Sequence, residues 1–143
     1  MGPMPSSESV VRELVERVWN RGEFERVPEF FAETFDHGGK ADDLAGLRAW
    51  HEQDARIWAD QRFEIVELVA GTDDVAVRWR ATARHIGQWG PVPATGKTIS
   101  WDGVHFFTVR DGKVVAMWAM ADVFGKAVQL GAVMSPPGQP WKR

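Results

Sequence analysis

The sequence predicts an α+β domain in which helices come first and cover one face of a curved, mostly antiparallel sheet. Three observations predict it. Apolar residues recur at helical spacing through the first 58 positions, strand-like alternation takes over from position 62, and Asp111-Gly112 joins two β-rich runs as a tight hairpin. Helices followed by a meandering sheet indicate segregated layers, not alternating βαβ units.

Ser6, Ser7 and Ser9 offer N-cap oxygens for a first helix whose apolar stripe is Val11, Leu14, Val15 and Val18. Asn20-Arg21-Gly22 closes it. A short second helix is expected over 24–32, carrying Phe24, Val27, Phe30 and Phe31, followed by an extended piece at 34–39. A third helix spans 42–58. Its apolar side (Leu44, Leu47, Trp50, Ile57, Trp58) also carries His51 and Asp54, whose three-residue spacing suits a mutual hydrogen bond. Strands are expected at 62–69, 75–85, 97–109 and 114–121, with a Gly- and Pro-rich loop at 89–96. A last helix at 123–130 ends at Gly131, its C′ residue. Residues 9–133 thus read as a single domain between an N-terminal tail, 1–8, and a C-terminal tail, 134–143.

With 143 residues, 44% of them hydrophobic and 26% charged, the chain suits one soluble domain. A net charge of −3 without a Lys/Arg block argues against a nucleic-acid partner. The lack of cysteine excludes disulfides, thiolate metal sites and a cysteine nucleophile. Four histidines without His-x-x-x-His or His-x-Asp spacing predict no metal. A phosphate loop and a Gly-x-Ser-x-Gly elbow are both missing, so neither a phosphate-loop site nor a serine nucleophile is expected. No apolar run suits a membrane span, and Met1-Gly2-Pro3-Met4-Pro5 is no secretory signal, so a cytoplasmic location is expected.

Eight Trp and eight Phe stand beside no Tyr. Tryptophan supplies large, rigid apolar area with one N–H donor. Trp50, Trp79, Trp89, Trp101 and Trp118, with Met120, are the candidates for a pocket wall; the alternative is plain core packing.

The chemistry is sought around the last two strands. Alternation puts Trp101, Gly103, His105, Phe107 and Val109 on one face, and Val114, Ala116, Trp118, Met120 and Asp122 on one face of the next strand. A carboxylate continuing an apolar stripe is costly unless satisfied or used. Apolar neighbours would raise Asp122 towards the operating pH of a general base. Alternatively Asp122 caps the last helix, which would lower it. His105 would polarise an enolate oxygen or hold Asp122, or else be a satisfied core histidine. His37 and His51 are further pocket candidates, His85 sits near a strand end, and Arg78, Arg80, Thr82 and Arg84 form a solvated or oligomer-contacting strand face.

Several local pieces are shared with one family: Trp19-Asn20-Arg21-Gly22, Phe35-Asp36-His37-Gly38, Gly46-Leu47-Arg48-Ala49-Trp50-His51, His85-Ile86-Gly87 and Pro93-Ala94-Thr95-Gly96-Lys97. Val104-His105-Phe106, Asp111-Gly112-Lys113-Val114 and the Trp118…Asp122…Gly125…Gln129-Leu130-Gly131 run complete the set. In order and spacing they resemble the SnoaL-like polyketide cyclases of the nuclear-transport-factor-2-like superfamily, over about residues 10–131. The resemblance implies a cone-shaped fold and a cofactor-free enzyme closing a ring of a polyketide by intramolecular aldol condensation. It implies Asp122 as acid/base and His105 as a lining residue. The type cyclases carry a glutamine where this chain has Gly103, and a polar, basic stretch where it has Ala116-Met117-Trp118-Ala119, so a drier, more aromatic pocket is expected.

The functional expectation is a cofactor-independent cyclase or isomerase acting on a hydrophobic, keto-rich secondary metabolite such as an antibiotic precursor. Asp122 and His105 would be its catalytic residues, in a homodimer or homotetramer. Two rivals stay open. One is a limonene-epoxide-hydrolase-type hydrolase, whose second carboxylate would be Asp102 or Asp54. The other is a non-catalytic ligand-binding or dimerisation module on the same fold.

Overall fold

The computed structural model describes residues 3–133, so the tail expected at 134–143 lies outside the described residues. Helix α1 (Ser7–Leu14) starts within the segment read as an N-terminal tail; Ser6 is its N-cap and accepts the Ser9 N–H. It continues into a π-helical turn, Val15–Asn20. Val10, Val11, Leu14 and Val18 are buried in the core. A 3-10 turn (Phe24–Arg26) leads to α2 (Val27–Phe30), shorter than expected because Phe31 already opens strand β1 (Phe31–His37). Gly38-Gly39 turns the chain into β2 (Lys40–Asp43), a strand that its polar composition conceals.

Asp43 caps α3 (Leu44–Ile57), its Oδ1 accepting the Gly46 N–H at 2.8 Å. Trp58, expected at the end of this helix, instead opens β3 (Trp58–Ala70) and is 2% exposed. Strands β4 (Asp74–His85), β5 (Thr98–Arg110) and β6 (Lys113–Ala121) follow, then α4 (Val123–Gln129).

The strand order is β2-β1-β6-β5-β4-β3. All neighbours are antiparallel except β1 and β6, which run parallel. Register shifts in β3, between Ala59 and Arg62 and between Ile65 and Glu67, mark bulges of the kind that bend a strand, and the sheet curls around the helices. Val75, Val77, Trp79, Ala81, Ala83 and His85 of β4 all face this concave core. Arg78, Arg80 and Arg84 point the other way, into exposed ion pairs with Glu67, Asp102 and Asp60.

The hairpin at Asp111-Gly112 forms as the dipeptide predicts. Both residues have positive φ, 51° and 74°, the backbone a tight primed turn requires. Just beyond it lies a bulge that the alternation does not reveal. Val109 pairs with Val114 but Thr108 pairs with Ala116, leaving Val115 as an extra residue. The shift inverts the facing of everything after it. Met117, Ala119 and Ala121 therefore face the concave side, while Trp118 and Met120 pair with Phe106 and Val104 on the convex one. The stripe drawn from Val114 to Asp122 is thus broken at Val115.

Candidate active site

The concave face of β3–β6, the π-helical turn and α3 enclose a cavity of about 330 Å³. Trp19, Phe24, Phe31, Phe63, Trp79 and Trp101 supply its aromatic walls. His37, His51, Asp54, Gln61, His105 and Lys126 supply its polar groups. Such a mixture, mostly apolar with a few polar groups, suits a small flat ligand.

Trp19 is placed by its neighbour. Asn20 imitates a strand partner for Phe63: its Nδ2 donates to the Phe63 carbonyl at 3.0 Å and its Oδ1 accepts the Phe63 N–H at 2.6 Å. This fastens the π-helical turn to β3 and lays Trp19 against Phe63, His105 and Trp79.

His105 is held by a single polar bond. The Trp79 indole N–H donates to its Nδ1 at 2.9 Å, and its ring stacks on Phe107. Because Nδ1 accepts, the neutral ring carries its proton on Nε2. Burial, assisted by His37 and His51, pushes the imidazole down to about 3. His105 is therefore a neutral donor at physiological pH, suited to polarising a carbonyl and unsuited to serving as a base.

His51 and Asp54 both reach the cavity, but they do not bond to each other among the described residues. His51 stacks on Phe24 and meets the edge of Trp50, and burial pushes it down to about 4. Asp54 instead accepts a bond from Gln61 Nε2 at 3.2 Å. Burial raises its carboxyl above the usual carboxylate range, against the opposing pull of Gln61 and Lys126. At the other side, His37 Nδ1 lies 3.0 Å from Asp42 Oδ2, and that bond lowers the Asp42 carboxyl. A carboxylate that fixes one imidazole nitrogen leaves the other for a ligand.

Lys126 enters the same cavity from α4. Its ammonium sits over three indole rings, 4.2 Å from the centroid of Trp58, 4.1 Å from Trp101 and 5.0 Å from Trp89. Burial pulls it down to about 8, opposed by Asp54.

Of the residues singled out in the sequence, His37, Trp50, His51, Trp79, Trp101 and His105 line the cavity; Met120 only borders its rim, in a β6 position that carries its exposed side chain to the convex face. Trp89 stands behind the wall, edge-on to Trp58. Trp118 lies outside, 43% exposed and packed on Phe106. Asp122 is not among the lining residues; its Oδ1 caps α4 by accepting the Gly125 N–H at 2.8 Å. Asp102 pairs with Arg80 on the convex face, and among the described residues no arginine lines the cavity, so two carboxylates with an arginine between them, as the hydrolase reading needs, do not assemble there. The sequence reading missed Gln61, Trp19 and Lys126 as cavity groups. A lysine three residues after Val123 and two after Phe124 gave no periodic signal that it would turn inward.

A curved, mostly antiparallel sheet closed by helices around an aromatic cavity with a few ionisable groups is a nuclear-transport-factor-2-like fold. The family model for SnoaL-like polyketide cyclase matches residues 9–130, and the chain belongs to that family. Solved structures agree. A SnoaL-like polyketide cyclase from Agrobacterium tumefaciens is 21% identical, with a TM-score of 0.80 over 90% of this chain and 100% of that one. TsrD from Streptomyces laurentii is 25% identical, with a TM-score of 0.79 over 87% and 97% of the two chains. AclR from Streptomyces galilaeus is also 25% identical, with a TM-score of 0.78 over 92% and 85%. None of the curated proteins matches the chain. Among the described residues no helix is long and apolar enough to cross a membrane.

Proposed function

We propose that the protein is a cofactor-independent cyclase or isomerase that takes a flat, hydrophobic, keto-rich metabolite into this cavity and moves a proton next to a carbonyl. The observation that carries the reading is Asp54: a carboxyl raised by burial, oriented by Gln61, facing a cavity walled by aromatic rings. An ordinary carboxylate near 3.9 is a weak base towards carbon, and raising it improves the match to neutral pH. His105, neutral and donating through Nε2, would stabilise the enolate oxygen. Trp19, Trp79 and Trp101 would hold the rings so that the enolate carbon meets its electrophile. The polar roles assigned by resemblance to Asp122 thus pass to Asp54 on geometric grounds, with His105 retained. The convex face bearing Phe106 and Trp118 would join two copies into a homo-oligomer.

The test is hydrogen exchange at the methyl group of acetylnaphthalene in deuterated water, followed by NMR, which needs no knowledge of the natural substrate. Wild type should accelerate it, and Asp54→Asn should lower the rate by roughly 10²–10⁴-fold. Asp122→Asn should leave it nearly intact. The opposite pattern would return the proton transfer to Asp122, and no acceleration by wild type would favour a binding module.

A further inference from the structure

We propose that Lys126 is a catalytic amine, condensing through its ε-nitrogen with a carbonyl group of the molecule bound in the cavity. This deepens the reading above and rests on the cavity being the substrate site. The placement of the side chain is the first argument. Val123 and Phe124 on the same helix are 57% and 39% exposed, whereas Lys126 is 8% exposed. A lysine normally lays its stem along apolar surface and keeps its ammonium in water. Here two apolar residues take the solvent side and the lysine faces inward, the reverse of what burial energetics favour.

The second argument is what surrounds the nitrogen. It lies over the faces of Trp58, Trp89 and Trp101, and among the described residues it forms no hydrogen bond or ion pair. Rings stabilise the ammonium through their quadrupoles but accept no directed proton, so the lone pair of the neutral amine stays available. The other titratable side chains lining the cavity are Asp54, whose carboxyl accepts a bond from Gln61, and His37, His51 and His105. With burial bringing the amine to about 8, about a tenth of it is neutral at pH 7. A desolvated lysine of this kind is the usual amine nucleophile towards carbonyls.

The step balances without an outside oxidant or reductant. The Lys126 ammonium first passes a proton to the Asp54 carboxylate; the neutral nitrogen then forms a C–N bond to the carbonyl carbon, and a nitrogen proton passes to the oxygen. The protonated Asp54 carboxyl gives its proton to that oxygen, the C–O bond breaks, and water leaves an iminium. Asp54, now a carboxylate, takes the α-proton, and the electron pair becomes the enamine C=C. The enamine carbon attacks a second carbonyl of the same molecule, whose oxygen takes the proton back. Water then hydrolyses the iminium, freeing Lys126 as the ammonium beside the Asp54 carboxylate, which is the starting state.

The experiment separates the amine from the site. Wild-type protein is incubated with naphthaldehyde and cyanoborohydride near pH 7, and labelled peptides are read by mass spectrometry. Methylnaphthalene, the same ring system without a carbonyl, is titrated in parallel by calorimetry. We expect methylnaphthalene to bind and Lys126 to carry at least about tenfold more naphthylmethyl label than Lys40, Lys97, Lys113 or Lys142. Lys126→Met, an apolar side chain of similar length, should still bind methylnaphthalene and lose the selective label. Lys126→Arg, which keeps a cation over the rings, should behave the same way and serves if the Met variant fails to fold. Binding of methylnaphthalene by wild type without selective labelling of Lys126 would overturn the amine role and leave the cavity reading standing. Neither binding nor labelling would overturn both.

Discussion

Trp79 donates its indole N–H to His105 Nδ1 at 2.9 Å across neighbouring strands, and the residue opposite Trp79, Gly103, is what lets the indole lie there. A Cβ on residue 103 would overlap the Trp79 ring. Gly103 is therefore paired with a large aromatic, which fills the space a side chain at residue 103 would take. The indole placed this way fixes the tautomer of His105.

Gly103→Ala should consequently displace Trp79 and break its bond to His105. Overpacking a filled core typically costs about 1–3 kcal/mol, and urea unfolding should show a loss in that range. Trp79→Phe in the same background should relieve the clash and recover part of it. A Gly103→Ala protein as stable as wild type would show that the indole has room to move.

Acid should weaken the fold before carboxylates titrate. His105 and His51 sit at about 3 and about 4 in the folded protein, against about 6.5 when unfolded. Between these values the unfolded chain binds more protons, so stability rises with pH across the window. Stated in the other direction, stability should fall as pH drops from about 6.5 towards about 4. His51→Gln should flatten that slope while leaving the region above pH 7 unchanged. Urea midpoints at several pH values check it; a flat profile in wild type would mean that the imidazoles are well solvated.

Much of this architecture is legible in the chain because pattern and burial agree. The alternation in β4 is unbroken from Val75 to His85, and Ser6 and Gly112 announce their cap and turn positions. What is illegible follows from long-range pairing. The strand β2 is polar and exists because β1 offers it an edge. The bulge at Val115 leaves no local mark, yet it reverses which residues of β6 face inward, and it is why Trp118 reads as a pocket residue and lies outside. The inward turn of Lys126 is likewise invisible to periodicity, since the three tryptophans that receive it come from β3, β5 and the loop between β4 and β5.

The convex face presents Phe106, Trp118 and Met120, which are 51%, 43% and 61% exposed and lie on paired positions of β5 and β6. An apolar cluster of this kind on a sheet face is a site for association. Light scattering at micromolar concentration should show at least a dimer, and Phe106→Asp with Trp118→Asp should shift it to monomer without unfolding it. A monomeric wild type would assign these residues to another partner or to none.

Asp122 offers the sharpest separation between a structural and a chemical carboxylate. Its Oδ1 holds the Gly125 N–H in the first turn of α4, a bond that an amide oxygen makes equally well. Asp122→Asn should therefore keep both the thermal midpoint and the exchange rate, while Asp122→Ala should cost about 1 kcal/mol of stability by leaving that N–H without its acceptor. The helix carries Lys126, so fraying it should also reduce the selective labelling of that lysine in the Ala variant and not in the Asn variant. If Asn instead abolished exchange with the fold intact, the charge of Asp122 would be what the chemistry needs, and the carboxylate at the end of β6 would displace Asp54 as the proton acceptor.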